Sequence, residues 1–231
     1  MNNGLNIVIV LTLLAGVVGV VYGISRQFDL HTELQRKLLH VGMGFVVISF
    51  PYFFDAQWPV ALLSSAAVFG CICVRKFNHL KEGVGTLLHG VSRQTWGELY
   101  FPISTGVLFF ISNGDPILFC VPMLVLTLAD ALSAVVGVRY GSLKYETVEG
   151  YKSIEGSIVF FTVTFLSVHV PLLLFTETGR LESLLIAATL GLIVMLIEAV
   201  SWDGLDNIFI PLGAYVLLDA YLAMDIHTLV I

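Results

Sequence analysis

Charge is what this sequence has least of. Only 12% of its 231 residues are Asp, Glu, Lys or Arg, about half the share of a soluble domain. No basic run of the kind that grips nucleic acid is present. Cysteine is scarce too: Cys71 and Cys73 end one apolar run and Cys120 lies inside another. Three thiols with no further Cys or His at ligand spacing exclude a disulfide framework and give no metal motif, so they read as small apolar helix residues. The opening MNNGLN carries no basic residue, and no small-residue cleavage signal follows the apolar run after it. That run reads as a retained span, not a signal peptide.

What is present is oil. Apolar residues make up 57% of the chain and the mean hydropathy is +0.92. Runs of bilayer-crossing length fall at about 5–24, 38–54, 57–74, 98–112, 116–136, 155–175, 182–200 and 208–225. They predict an all-α polytopic transmembrane bundle of about eight spans, or seven if the 38–54 run is re-entrant. Residues 1–231 then form a single integral membrane domain with no room for a large soluble one.

The basic residues orient the bundle. Arg26, Arg36 and Lys37 follow the first span; Arg75, Lys76, Lys81 and Arg93 the third; Arg139, Lys144 and Lys152 the fifth. Of the 11 basic residues only Arg180 has the other parity. Lys and Arg collect on the cytoplasmic side, so the long polar loops face the cytoplasm and both termini face away. Ser25 to His40 reads as an interfacial amphipathic helix entering the second span.

Polar residues inside such a chain are few enough to weigh singly. Asp130 lies in the fifth span near its cytoplasmic end. Intramembrane acids are costly and usually face a polar cavity; a protonated or capping carboxyl is the alternative. Gly137 and Gly141 follow it, either as a sharp turn with exposed N–H groups or as helix packing. Lys152-Ser153-Ile154-Glu155-Gly156-Ser157 opens the sixth span. It is either a phosphate-binding helix start or an N-cap beside an inside-positive anchor. Glu198, Asp203, Asp206 and Asn207 form an acidic group at the cytoplasmic end of the seventh span. They are hard oxygen ligands suited to Mg²⁺, or a solvated acidic turn. Arg36 and His40 share a helix face, and Glu98 starts the fourth span; each is a site candidate or a cap. His79 and His89 are weakly motivated, His169 and His227 lie on the outer half, and Asp219 has no assigned role.

Five blocks occur in order: Arg36-Lys37-x-x-His40, Gly97-Glu98-x-Tyr100-Phe101-Pro102, Asp130-Ala131-Leu132-Ser133-x-x-x-Gly137-x-x-x-Gly141, Lys152-Ser153-x-Glu155-Gly156-Ser157 and Asp206-Asn207-x-x-x-Pro211-Leu212. Together they resemble the polyprenol kinase family of phytol and dolichol kinases, distantly related to phosphatidate cytidylyltransferases. The resemblance implies a membrane enzyme that transfers the γ-phosphate of CTP, or another nucleoside triphosphate, to a long-chain isoprenoid alcohol with Mg²⁺. It implies Asp130, as either the base or a metal ligand, and Lys152 as catalytic residues. Gly137, Arg139, Gly141, Lys152, Ser153, Glu155, Gly156 and Ser157 would bind nucleotide. Asp130, Glu198, Asp206 and Asn207 would bind metal, with Arg36, Lys37, His40 and Glu98 as further candidates. The chain lacks the fuller Asp-rich C-terminal signature of the cytidylyltransferases, which favours a kinase. The competing readings are a phosphatidate cytidylyltransferase and a non-enzymatic small transporter or interaction protein. The expected partners are membrane lipid, the alcohol and the nucleotide. One geometric expectation follows: Asp130, Lys152 and Asp206 line one cytoplasm-facing pocket.

Overall fold

A computed structural model describes residues 2–76, 96–148 and 150–224. Lys81, Arg93, His79, His89 and His227 lie outside the described residues. The chain forms α1 (Asn3–Phe28), α2 (Thr32–Ile48), α3 (Phe50–Phe53), α4 (Gln57–Lys76), α5 (Gly97–Ile111) and α6 (Pro116–Tyr140). A hairpin of β1 (Lys144–Thr147) and β2 (Gly150–Ser153) follows. Then come α7 (Ile154–Phe175), α8 (Arg180–Val200) and α9 (Asp206–Ala223).

Seven of the expected spans each overlap one helix, and the 38–54 run is divided at Ser49 between α2 and α3. Among the described residues α1, α4, α6, α7 and α8 are long and apolar enough to cross a bilayer, and α5 is a shorter apolar helix. The protein is an all-α helical bundle of the polytopic membrane type. Its helix ends are written locally. Asp115 accepts the Ile117 and Leu118 N–H groups at 2.9 Å, with Pro116 at the first helical position. Proline fits there because that N–H has no helical partner anyway. Asp29, at φ 46°, ends α1. The interfacial helix expected over Ser25 to His40 is therefore divided: its first residues extend α1, and the rest begin α2.

The core gathers around α6, 61% of whose apolar window is buried against 11% for α1. Phe109 of α5 meets Phe119 of α6 edge to face, ring centroids 5.2 Å apart. Leu126, Phe160, Leu190 and Ile210 extend the same cluster into α7, α8 and α9. Phe69, Phe110, Leu174 and Phe175 point outward, as a lipid-facing surface requires.

Two local features differ from the sequence reading. The polar segment after α6 is not only a loop: Tyr145 pairs with Lys152 and Glu146 with Tyr151 across the hairpin. Gly137 does not turn the chain either. It is helical within α6, which runs on to Tyr140, and only Gly141 leaves the helix. Gly137 instead gives room. A Cβ there would lie 3.0 Å from Ser153 Oγ, and one on Gly156 would lie 3.0 Å from the Ser133 carbonyl and 3.3 Å from Gly137 Cα. The small residues let the backbones of α6 and α7 touch. Gly156→Val is expected to force the two helices apart, read as a lower unfolding temperature in detergent.

Alternating helices bring one set of ends together. The hairpin, the starts of α2, α5, α7 and α9 and the ends of α1, α4, α6 and α8 share one end of the bundle. Contacts there bear this out: Trp96 N–H donates to the Asp203 carbonyl at 3.2 Å, and Lys152 reaches Glu198. Tyr215 OH donates to the Ile111 carbonyl at 3.1 Å at the opposite end.

Candidate active site

A buried ion pair joins α2 to α6. Lys37 is 6% exposed and Asp130 8%. The Lys37 ammonium donates to both Asp130 carboxylate oxygens at 2.8 Å, and to the Asp130 carbonyl at 3.4 Å. Each charge would be expensive alone in an apolar interior, so each accounts for the other.

His40 lies one turn beyond Lys37 on α2. Its Nε2 is 3.7 Å from Asp130 Oδ2 and 3.2 Å from the Leu126 carbonyl. A carbonyl only accepts, so Nε2 carries the hydrogen. Leu126 belongs to a π-helical stretch, Val125–Ala129, that interrupts α6. Such stretches re-aim backbone groups and recur at functional sites. The His40 ring also meets Phe101 of α5 edge to face at 5.0 Å.

A second ion pair sits nearer the surface. Lys152, on β2, donates to Glu198 Oε1 at 2.6 Å and to the Glu198 carbonyl. The pair pins the hairpin to the end of α8. The Lys152 side chain is 28% exposed against 7% for Lys37, so the two lysines mark an outer and an inner station.

Asp206 opens α9 at the same end of the bundle. It is close enough to interact electrostatically with Asp130, Lys37 and Lys152, and Arg36 in turn with Asp130 and Asp206. Its Oδ1 accepts from the Asn207 backbone N–H at 3.0 Å and from Asn207 Nδ2 at 3.2 Å. Asn207 Nδ2 also donates to the Gly204 carbonyl at 3.2 Å. Among the described residues Asp206 is the carboxylate of this group that no cation holds at ion-pair distance.

The remaining sequence candidates sort by position. Arg36 pairs with Glu33 at 2.7 Å at the rim. Ser153 caps α7, its Oγ accepting the Gly156 N–H at 3.1 Å. Ser157 Oγ is 2.7 Å from the Tyr145 hydroxyl. Glu155 Oε1 accepts the backbone N–H groups of Ser142 and Leu143 at 3.0 and 3.2 Å, and the Ser142 hydroxyl. It ties the exit of α6 to the entry of α7. Glu98 binds Arg75 at 2.5 Å, and Arg75 lies over the Trp96 ring. Arg139 is exposed beside Tyr140. Gly141 packs against Ser153. Asp219 is exposed on α9 and interacts with Tyr215, away from this group.

Sequence reasoning passed over Tyr145, Ser142 and Gly204. Gly204 had a visible signal, the Asp203-Gly204 turn dipeptide. Tyr145 had none, because its role depends on the strand register. Among the described residues no three His, Cys, Asp or Glu side chains converge as a metal cage, and Asp130 and Glu198 each already carry a lysine.

A helical bundle of membrane type with paired charges buried at one end defines a membrane-embedded protein with a polar site. No family model matches the chain and no solved structure matches it. It is 32% identical over 185 residues to the phytol kinase of a Synechocystis strain, covering 79% of this chain and 76% of that one. It is 27% identical over 224 residues to the probable chloroplastic phytol kinase of Triticum aestivum, covering 83% and 71%. The chain belongs to the phytol kinase family.

Proposed function

We propose that this protein is a lipid-alcohol kinase that transfers the γ-phosphate of CTP to a long-chain isoprenoid alcohol such as phytol or a polyprenol. The observation that carries the reading is the match to a phytol kinase over most of both chains. The buried Lys37–Asp130 pair, with Lys152 and Asp206 nearby, supplies the charges such a reaction needs.

In this reading the site faces the cytoplasm. The excess of basic residues at its end of the bundle supports that orientation. The alcohol lies with its tail among the helices and its hydroxyl near Asp130. Phosphoryl transfer asks for positioning and for positive charge around the phosphates. Lys152 meets the phosphates as they enter, and Ser153, at the start of α7, is next to it.

The donor set suits Mg²⁺ that arrives on the nucleotide, since that ion takes one or two carboxylates and fills its shell with phosphate oxygens and water. Asp206 and the Asn207 side-chain oxygen would hold it, with Glu198 and Asp130 next to them. When bound it would neutralise phosphate charge.

The reading is tested with purified protein, Mg²⁺ and CTP labelled at either the α or the γ position. Phytol, farnesol, dolichol and undecaprenol are offered as acceptors. Label from the γ position is expected to enter the alcohol. Label entering phosphatidate from the α position would make the protein a cytidylyltransferase, and no transfer to any acceptor would remove the kinase reading.

A further inference from the structure

Two lysines interact electrostatically with Asp206, and they differ in exposure. Lys152 stands 28% exposed at the hairpin, whereas Lys37 is nearly enclosed between α2 and α6. Both are held by carboxylates, Lys37 by both oxygens of Asp130. Arg36, one residue before Lys37, is held by Glu33 at the rim. The more enclosed lysine is the one suited to the far end of a phosphate chain that meets Lys152 first.

We propose that Lys37 is the contact for the terminal phosphate of a nucleoside triphosphate, and that the Lys37–Asp130 pair is the resting half of an ion-pair exchange. The proposal rests on the kinase reading and deepens it. A terminal phosphate carries more negative charge than one carboxylate and offers three acceptor oxygens. It competes for the ammonium on its own terms. The inner position leaves Lys37 little water to fall back on, so it stays paired with one partner or the other.

The exchange also uncovers Asp130. With Lys37 on the phosphate, both Asp130 oxygens lose their donor. The carboxylate then accepts the proton of the alcohol. The alcohol oxygen forms its bond to the terminal phosphorus, and the bond from that phosphorus to the bridging oxygen breaks. The nucleoside diphosphate leaves with that electron pair. One ion pair thus keeps the base covered until the phosphoryl donor is in place.

The test is nucleotide binding, with each protein titrated with CDP and with a non-hydrolysable CTP analogue in the presence of Mg²⁺. Asp130→Asn and the double variant Lys37→Met/Asp130→Asn are compared, because neither leaves an unpaired carboxylate in the interior. Wild type and Asp130→Asn are expected to prefer the triphosphate by at least about tenfold. The double variant should bind CDP like Asp130→Asn and lose that preference. Lys152→Met should weaken both nucleotides alike. A double variant that keeps the preference would overturn the assignment and leave Lys37 a structural partner of Asp130. A wild-type protein that binds neither nucleotide would overturn the kinase reading, and the proposal with it. Unfolding temperatures of all variants confirm that folded proteins are being compared.

Discussion

Asp130→Asn is expected to reduce alcohol phosphorylation by roughly 10²- to 10⁴-fold in a protein that still folds. The substitution keeps the size of the side chain and an oxygen that accepts from the Lys37 ammonium, now 2.8 Å away. What it removes is the negative charge and the ability to take a proton. Asp130→Ala is a different experiment. It strands the Lys37 ammonium, 6% exposed, without a partner, and breaking a buried pair in that way costs about 3–5 kcal/mol. The two variants separate chemistry from stability: the first should lose turnover with a near-normal unfolding temperature, the second should lose both. Turnover within a few fold of wild type in Asp130→Asn would end the role assigned to this carboxylate.

The second large effect is expected at a glycine. Gly204 sits at φ +81° in the turn between α8 and α9, and a Cβ there would lie 2.4 Å from the Gly97 nitrogen and 2.6 Å from its Cα. Both obstacles are backbone, so no rotamer change relieves them. Gly204→Ala combines a left-handed conformation, about 1–2 kcal/mol for a residue with a Cβ, with overpacking of about 1–3 kcal/mol. The turn also accepts Asn207 Nδ2 at its Gly204 carbonyl, so moving it moves Asp206. Gly204→Ala should therefore lower both the unfolding temperature and the activity. Gly23→Ala is the control: nothing lies within 4 Å of a Cβ there, in the last two turns of α1, and the change should be neutral or slightly stabilising. Equal behaviour of the two variants would refute this account of the turn.

The all-α architecture and most helix positions were readable because hydrocarbon imposes a long apolar run on each crossing, and that run is local in sequence. The grouping of Asp130, Lys152 and Asp206 was readable for a related reason. Once spans alternate, every second loop returns to the same end. The partners were not readable. Lys37 stood among several basic residues near the second span, and nothing in its neighbours said it would reach across 93 positions to Asp130. The Gly137 segment was equally ambiguous. Glycine serves a turn and a close helix contact alike, and only the facing Ser153 and Gly156 decide for contact.

Composition and run length alone make this chain too apolar and too poor in charge for a soluble domain, and the alternation of its spans gathers the polar residues at one end. The sequence also determined which side chains were available there. How they pair was set by helix packing: Lys37 with Asp130 inside and Lys152 with Glu198 outside. Tertiary structure also folded the polar segment after α6 into a hairpin that sets Lys152 against α8. The physical reason is range. Hydrophobic run length and helix caps act within a few residues, whereas a buried charge is satisfied by whatever the packing of distant helices brings beside it.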